Sequence, residues 1–183
     1  MSRFTPFAAA LALAAAPAAF AAAKTPMVGG AAMYPSRNIV ENAARSKSHT
    51  TLVAAVKAAG LVDTLAGAGP FTVFAPTNAA FARLPAGTVD TLLKPENKPA
   101  LQSVLTYHVV PGRVSAAQLV GKIKAGRGMA RLATVQGGTL TARLVGGKVV
   151  LTDGKGGRAT VTQADVFQSN GVIHVTDAVS LPR

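Results

Sequence analysis

The sequence predicts a single α+β domain, and two changes of pattern along the chain predict it. Apolar residues recur every three or four positions through residues 36–120, which is typical of helices packed on one face, with one apolar strand threaded among them at 71–76. From Met129 onward, apolar and polar residues alternate with a period of two, which is typical of strands. Helices followed by strands favour an α+β fold over a doubly wound parallel sheet. A chain of 183 residues suits one domain of ordinary size.

The first 23 residues have the pattern of a secretory signal peptide. One cation, Arg3, precedes a run of Ala, Leu and Phe that ends in small residues, and Lys24 then begins a more polar segment. We predict cleavage after Ala23, or second best after Ala21, and a secreted or periplasmic product with no transmembrane segment after cleavage. Residues 24–35 contain Gly and Pro and are expected to form a flexible N-terminal segment ahead of a folded domain at 36–183.

The helical part of the chain contains recognisable start and stop signals. Ser36 is expected to cap a short helix through Ala44, and Gly60 to end a second helix. The strand FTVFAP should stop at Pro76, where Thr77 or Asn78 can cap the next helix because its first N–H groups lack partners. Further helices are expected at 85–93, from Asn97 and, as a short turn, from Ser115.

The strand-forming part of the chain begins with TYHVVPG at 106–112, which we read as a strand containing Tyr107 and His108. Five further strands are predicted after Met129, in the segments ARLATV, TLTARLV, KVVLTD, RATVTQADVF and GVIHVTDAVSL. The segments TLTARLV and KVVLTD flank Gly146-Gly147, which predicts a two-residue hairpin. Met129 itself follows GKIKAGRG, which is expected to be an exposed, mobile loop because it is rich in Gly and Lys/Arg.

The residue inventory argues against catalysis and metal binding. There is no cysteine, and the three histidines show no HxH or HExxH spacing, so no metal, cofactor or thiolate chemistry is expected. No G-x-S-x-G turn or phosphate-binding glycine pattern is present. We therefore predict no catalytic residue and interpret His108 and His174 as buried histidines that bond backbone groups.

The charge distribution leaves two interpretations open. The chain carries a formal charge of +12, and residues 113–158 contain nine Lys or Arg but only one acid, Asp153. This block is either a solvated face that maintains solubility or a surface that attracts polyanions. The candidate polyanion-binding residues are Lys122, Lys124, Arg127 and Arg131. Nucleic acid is not the expected partner, because the aromatic residues are few and scattered.

Three ordered segments resemble the signature segments of the fasciclin (FAS1) domain. They are FTVFAPTNAAF at 71–81, LTYHVVPG at 105–112 and NGVIHVTDAVSLP at 170–182, and the resemblance extends from Ser36 to the end of the chain. The chain is most similar to bacterial, secreted, single-domain members. Position 78 often carries Asp in the family and is Asn here. The matching residues are Phe71, Thr72, Phe74, Ala75, Pro76, Thr77, Asn78, Phe81, Tyr107, His108, Asn170, Gly171, His174 and Asp177.

The resemblance implies both a fold and a function. The fold is a twisted, wedge-shaped β-sandwich with helices packed along one side. Within the family, the segments that correspond to residues 71–81, the Tyr107-His108 pair and residues 170–182 are linked both to fold integrity and to adhesion. The function is non-catalytic adhesion by a monomer that binds a cell-surface or matrix protein or an acidic polysaccharide. Some algal members resemble this domain yet bind carotenoids, so the alternative function is a carrier of an apolar small ligand such as a carotenoid or lipid.

Overall fold

A computed structural model describes residues 25–183, so the predicted signal peptide and its cleavage residue Ala23 lie outside the described residues. The helices of the described part are α1 (Ile39–Ala43), α2 (Thr50–Ala59), α3 (Val62–Ala66), α4 (Asn78–Ala82), α5 (Thr88–Leu93), α6 (Lys98–Tyr107) and α7 (Ala116–Ala125), with 3-10 turns at Lys47–His49 and Pro95–Asn97. The strands are β1 (Met27–Val28), β2 (Ala31–Ala32), β3 (Phe71–Pro76), β4 (Val109–Pro111), β5 (Ala130–Ala133), β6 (Thr139–Val145), β7 (Lys148–Thr152), β8 (Arg158–Gln168) and β9 (Gly171–Thr176).

Seven of the strands form one curled, mixed sheet in the order β4-β3-β9-β8-β7-β6-β5. Only the β3–β9 pair is parallel, and the other neighbours in this sheet are antiparallel. The two edges of the sheet approach each other, because the N–H of Val135, just after β5, donates to the Val109 carbonyl of β4 at 2.8 Å. The sheet is therefore nearly closed, and the predicted α+β fold with a twisted sandwich is confirmed.

The alternation of side chains along β3 divides the interior into two cores. Val73 and Ala75 belong to a first core, shared with α1, α2, α3 and α6 on the helical side of the sheet. Phe74 points the other way, into a second core that the curled sheet encloses and that α7 covers with Leu119 and Ile123. Most of the described helices thus line one side of the sheet, as the resemblance implied, whereas α7 covers the second core on the other side, and the central strands serve both cores.

Most of the predicted helix signals act where the sequence placed them. The Thr77 hydroxyl accepts from the Ala80 N–H, Ser115 and Gln118 form a reciprocal capping box, and Gly60 ends α2 in the left-handed conformation. The first helix is a correction, because its cap is Asn38 and not Ser36. The Asn38 side chain accepts from the Glu41 N–H, and the Glu41 side chain accepts from the Asn38 N–H. Ser36 does not take part in this capping box.

Two predicted elements are corrected. Tyr107 is the last residue of α6 and His108 caps it, so β4 begins only at Val109. The GKIKAGRG segment is not a loop throughout, since α7 continues to Ala125. Burial of Leu119 and Ile123, four residues apart on one helical face, outweighs the low helix propensity of Gly121.

Residues 25–35, the described part of the N-terminal segment expected to be flexible, are folded against the domain. β1 and β2 form a small antiparallel hairpin, with Val28 opposite Ala31. Val28 and Met33 are buried in the first core, and the Gly29 carbonyl accepts from the Lys47 N–H. Apolar side chains on both sides of the Gly29-Gly30 turn therefore dock this segment onto the helices. None of the helices within residues 25–183 is both long and apolar enough to cross a membrane.

Gly171 permits the close approach of β3 to β9, which yields a first prediction. A Cβ at this position would overlap the Phe71 carbonyl oxygen, an atom of the neighbouring backbone that cannot move without breaking the parallel ladder. We expect Gly171→Ala to lower the free energy of unfolding by about 3 kcal/mol or more, measured by urea denaturation.

Gly121→Ala is the matched control for this prediction. Gly121 lies within α7 and is exposed, and a Cβ added there would meet no atom within 4 Å beyond the backbone of its own helix. Alanine there should raise the free energy of unfolding by about 0.5–1 kcal/mol, because glycine is the poorer helix former. Equal effects of the two substitutions would contradict the role assigned to Gly171.

Candidate functional site

The three signature segments converge on the central strands of the sheet. Phe74 of β3 lies opposite His174 of β9, with ring centroids 5.6 Å apart, and the Phe74 N–H donates to the His108 carbonyl beside β4. Ten of the fourteen matching residues are buried, and the other four (Phe71, Thr77, Asn78 and Asp177) are half-buried. Residues separated by up to about a hundred positions thus form one packed unit, and most of their side chains face the interior.

His174 uses both ring nitrogens to bind backbone. Its Nε2–H donates to the Val114 carbonyl at 2.8 Å, and its Nδ1 accepts from the Asp165 N–H at 3.3 Å. Burial lowers the pKa of His174, and the Val114 carbonyl and the Asp165 carboxylate oppose that effect only in part. The ring is therefore held neutral with no free lone pair, so it cannot act as a general base or a metal ligand in this state.

His108 is bonded in the opposite tautomer. Its Nδ1–H donates to the Val104 carbonyl at 2.8 Å, and its Nε2 accepts from the Ser180 N–H at 2.9 Å. Burial lowers the pKa of His108, with smaller opposing effects from the Val104 carbonyl and Asp153. The ring joins the end of α6 to the segment after β9.

His49 is the third buried histidine and is less completely bonded. Its Nδ1 lies 2.9 Å from the Ser46 hydroxyl, whereas its Nε2 has no hydrogen-bond partner among residues 25–183. Burial lowers the pKa of His49, and the nearby Ala75 backbone offsets this only in part. All three imidazoles are consequently neutral side chains of the interior at neutral pH.

Asn170 connects three elements through its side-chain amide. Its Oδ1 accepts from the Ile39 N–H at the start of α1, and its Nδ2 donates to the carbonyls of Leu65 and Gly67 at the end of α3. Its own carbonyl accepts from the Phe71 N–H. A helix start, a helix end and the β3–β9 pair are therefore fixed relative to one another by one residue.

Asn78 has a comparable role on the other side of the helical layer. Its Oδ1 accepts from the Thr51 N–H and so caps α2, whose N-cap residue His49 makes no side-chain capping bond. Its Nδ2 donates to the Lys47 carbonyl and the Thr50 hydroxyl. The Asn78 amide can therefore donate to the Lys47 carbonyl and the Thr50 hydroxyl and also accept from the Thr51 N–H. The carboxylate of an Asp at this position could only accept.

Tyr107 and Asp177 bond the backbone of the sheet. The Tyr107 hydroxyl donates to the Thr139 carbonyl at 2.7 Å and accepts from the Gly154 N–H at 2.9 Å. Burial raises the pKa of Tyr107, which keeps the phenol protonated. The Asp177 carboxylate accepts from the Thr160 N–H and lies 3.5 Å from the Arg83 guanidinium. Both residues join strands or strand ends.

Sequence reasoning missed Asp153 as a structural residue. Its carboxylate accepts from the backbone N–H groups of Lys155, Gly157 and Leu181, and so closes the turn between β7 and β8 and fixes the C-terminal segment. An Asp followed by Gly-Lys-Gly-Gly is itself a turn signal, because Asp side chains bond the N–H two residues later. No pattern in the sequence near Asp153 indicates its bond to the Leu181 N–H.

The four predicted polyanion-binding residues lie on two elements and the turn between them. Lys122 and Lys124 lie in the last turn of α7, where cations favourably oppose the helix dipole, and Arg127 follows the helix in a left-handed turn. Arg131 lies on β5. Because Leu132 of β5 faces the core that α7 covers, Arg131 points to the opposite side of the sheet.

An apolar crevice lies between α1, α2, α3 and the sheet, where a carrier would be expected to hold its ligand. Ile39, Val53, Val56 and Leu65 are among its lining residues, with Lys57 and His108 as the polar ones. Its volume is about 30 Å³, room for about one water molecule. Among residues 25–183, no group of three or more His, Asp or Glu side chains is placed to hold a metal ion.

Comparison with known proteins identifies relatives over most of the chain. The family model for the fasciclin domain matches residues 47–182. Protein sll1483 of Synechocystis sp. is 53% identical over 159 residues, which cover 87% of this chain and 81% of that protein. The cell surface glycolipoprotein MPB83 of Mycobacterium bovis is 39% identical over 122 residues, which cover 67% of this chain and 48% of that protein.

A solved structure supports the fold independently. A FAS1 domain pair from the insect cell adhesion molecule fasciclin I superposes with a TM-score of 0.70 at 19% identity, covering 79% of this chain and 51% of that one. The chain therefore spans about half the length of both this domain pair and MPB83.

The neutral histidines generate a prediction for the pH dependence of stability. Their pKa values are lower in the native chain than in the unfolded chain, so the unfolded chain binds more protons below its histidine pKa of about 6.5. We expect the free energy of unfolding to be nearly constant above that pH and to fall as the pH decreases from about 6.5 to about 5. Urea unfolding at successive pH values measures it, and His174→Asn, which cannot titrate, should show a shallower slope. A flat profile would contradict the assignment of neutral histidines.

The bonds of Asn170 generate a second prediction for this site. Asn170→Ala leaves one buried N–H and two carbonyls without their side-chain partner, so we expect the free energy of unfolding to fall by about 2–4 kcal/mol. Asn97→Ala is the control, because it removes one exposed bond to the Thr91 carbonyl and should cost less than about 1 kcal/mol. Similar losses in the two variants would show that Asn170 does not connect the elements as described.

Proposed function

The chain belongs to the fasciclin domain family, and on that premise we propose that it is an exported, non-catalytic adhesion protein that binds cell-surface or matrix components. The observation that carries the proposal is the family match together with a relative named as a cell surface glycolipoprotein. The insect fasciclin I, whose domain pair has the same fold, is named as a cell adhesion molecule. Location outside the cytoplasm follows from the predicted signal peptide and is part of the proposal.

The absence of catalysis in this proposal is supported by how the polar signature residues are used. Both nitrogens of His108 and of His174 bond backbone groups, and the Tyr107 hydroxyl has a donor and an acceptor. A nucleophile and a base must reach substrate from a cleft, and these side chains instead hold the interior together. Binding is therefore assigned to the exposed surface of the domain.

The carrier function is the competing proposal, and the apolar crevice is where it would operate. In the present conformation the crevice is about 30 Å³, far below the several hundred Å³ of a pocket that encloses a small molecule. A carotenoid or a lipid chain would enter only if α1 or α3 moved away from the sheet. The geometry therefore favours adhesion over carriage.

A binding experiment on the host envelope tests the adhesion proposal. We expect the protein purified from its own host to bind saturably to an envelope fraction of that host, and heat-denatured protein to bind less. Digestion of the fraction with protease or with polysaccharide lyases separates a protein partner from a polysaccharide. Absence of saturable binding, combined with pigment or lipid extracted from the purified protein, would replace adhesion by carriage.

A further inference from the structure

The outer surface of strands β5 to β8 is rich in arginine and threonine. Leu132, Leu140, Ala142, Leu151 and Ala159 of these strands are buried in the second core. Because side chains alternate between faces, their neighbours point outward, away from that core. We name this surface the arginine–threonine face, and it comprises Arg131, Thr141, Arg143, Thr152, Arg158 and Thr160.

The strand register places these residues in two cross-strand rows. One row runs Arg131, Thr141, Thr152 and Arg158, each opposite the next on the adjacent strand, and the second contains Arg143 and Thr160 with Val150 between them. Adjacent strands are about 4.8 Å apart, so the two arginines at the ends of the first row are separated by about 14 Å at the backbone. Three guanidinium groups thus lie along one strip of the surface, with hydroxyl groups between them.

Within residues 25–183, the arginines on this face have no acidic partner. Among residues 25–183, the ion pairs are Arg83–Asp177 and Lys94–Glu96, and neither involves the face. The two nearest acids in the sequence, Asp153 and Asp165, bond backbone N–H groups, although Asp153 borders the same depression as Arg131. Asp153 accepts three backbone N–H groups, and Asp165 accepts from the Ala116 N–H. The positive charge of the face is therefore not neutralised within the described part of the chain.

The face is also concave enough to seat a chain. Arg143, Arg158 and Thr152 border a depression of about 350 Å³, and Arg131 borders a second, polar one of about 650 Å³. Thr141 lines both, so the two depressions are adjacent along the same face. A ligand that crosses the strands would meet all three arginines in turn.

We propose that the arginine–threonine face binds an acidic polysaccharide through its carboxylate or sulfate groups. The planar guanidinium binds such groups with two parallel hydrogen bonds, and threonine hydroxyls can donate to and accept from sugar hydroxyls. Single-stranded nucleic acid fits less well, because the face contains no aromatic ring on which a base could stack. The inference rests on the proposed adhesion function, for which it supplies a site and a partner class.

The cations of α7 provide a matched control. Lys122, Lys124 and Arg127 also number three and are exposed, but α7 lies on the core side of β5 and β6, opposite the face. If net charge alone attracts polyanions, removing either set should have the same effect. If the face is the site, only its own arginines should matter strongly.

Affinity chromatography on polygalacturonate tests the proposal, with fully methyl-esterified polygalacturonate as the uncharged version of the same polymer. Dextran sulfate and dextran form the corresponding pair for sulfate. We expect wild type to bind the charged polymer of at least one pair, and its neutral version much less, with affinity that falls as salt rises. The triple variant Arg131→Gln, Arg143→Gln, Arg158→Gln should bind about tenfold more weakly or worse, whereas Lys122→Gln, Lys124→Gln, Arg127→Gln should retain most of the affinity. Unchanged thermal unfolding of both variants verifies that they fold.

Each of the following outcomes would overturn the proposal. Equal weakening by the two triple variants would reduce the effect to net charge. Failure to bind either charged polymer, or a clear preference for anionic lipid vesicles or RNA, would exclude acidic polysaccharide as the partner. If wild type and the triple variant of the arginine–threonine face bind the host envelope equally well, this face is not the binding site, and the adhesion function is retained. If wild type does not bind the envelope at all, the adhesion function fails as well.

Discussion

The parallel pairing of β3 with β9 is the constraint on which the rest of the structure depends. Parallel strands require a long connection, and here that connection includes most of the helices and the whole antiparallel half of the sheet. Gly171 permits this pairing, because a Cβ at that position would overlap the Phe71 carbonyl oxygen. In this pair, the side chains on one face of the strands pack into the first core, and those on the other face pack into the second core.

Polar residues beside this pair make the arrangement specific. Asn170 bonds α1 and α3 directly, His174 bonds the loop that leads into α7, and His108 bonds the segment after β9. Each is a neutral side chain that supplies both a donor and an acceptor to buried backbone groups, which would be costly to leave unpaired. Their use as structural partners explains why a cluster of His, Asn and Tyr in this fold does not form a reactive site, and why binding is assigned to the surface.

The surface charge follows from the same division of faces. Cations of α7 lie in its last turn, where they oppose the helix dipole, and have a structural reason to be there. The arginines of β5, β6 and β8 have no such reason, since they point away from both cores and pair with no acid in the described chain. The cations of one basic block in the sequence therefore lie on two separate surfaces of the fold, the end of α7 and the arginine–threonine face, and these surfaces have different physical roles.

The sequence by itself determined the α+β class, most helix and strand locations, the caps at Thr77 and Ser115 and the Gly146-Gly147 hairpin, because these depend on neighbours within a few residues. Short-range patterns could not separate a strand from a helix end at Tyr107-His108, nor a loop from a helix at 121–125, where burial against distant residues decided. Likewise, the partners of Asn170 lie more than 100 residues away. The arginine–threonine face depends on register across four strands, which only tertiary structure fixes, because each row combines residues whose proximity no local spacing encodes.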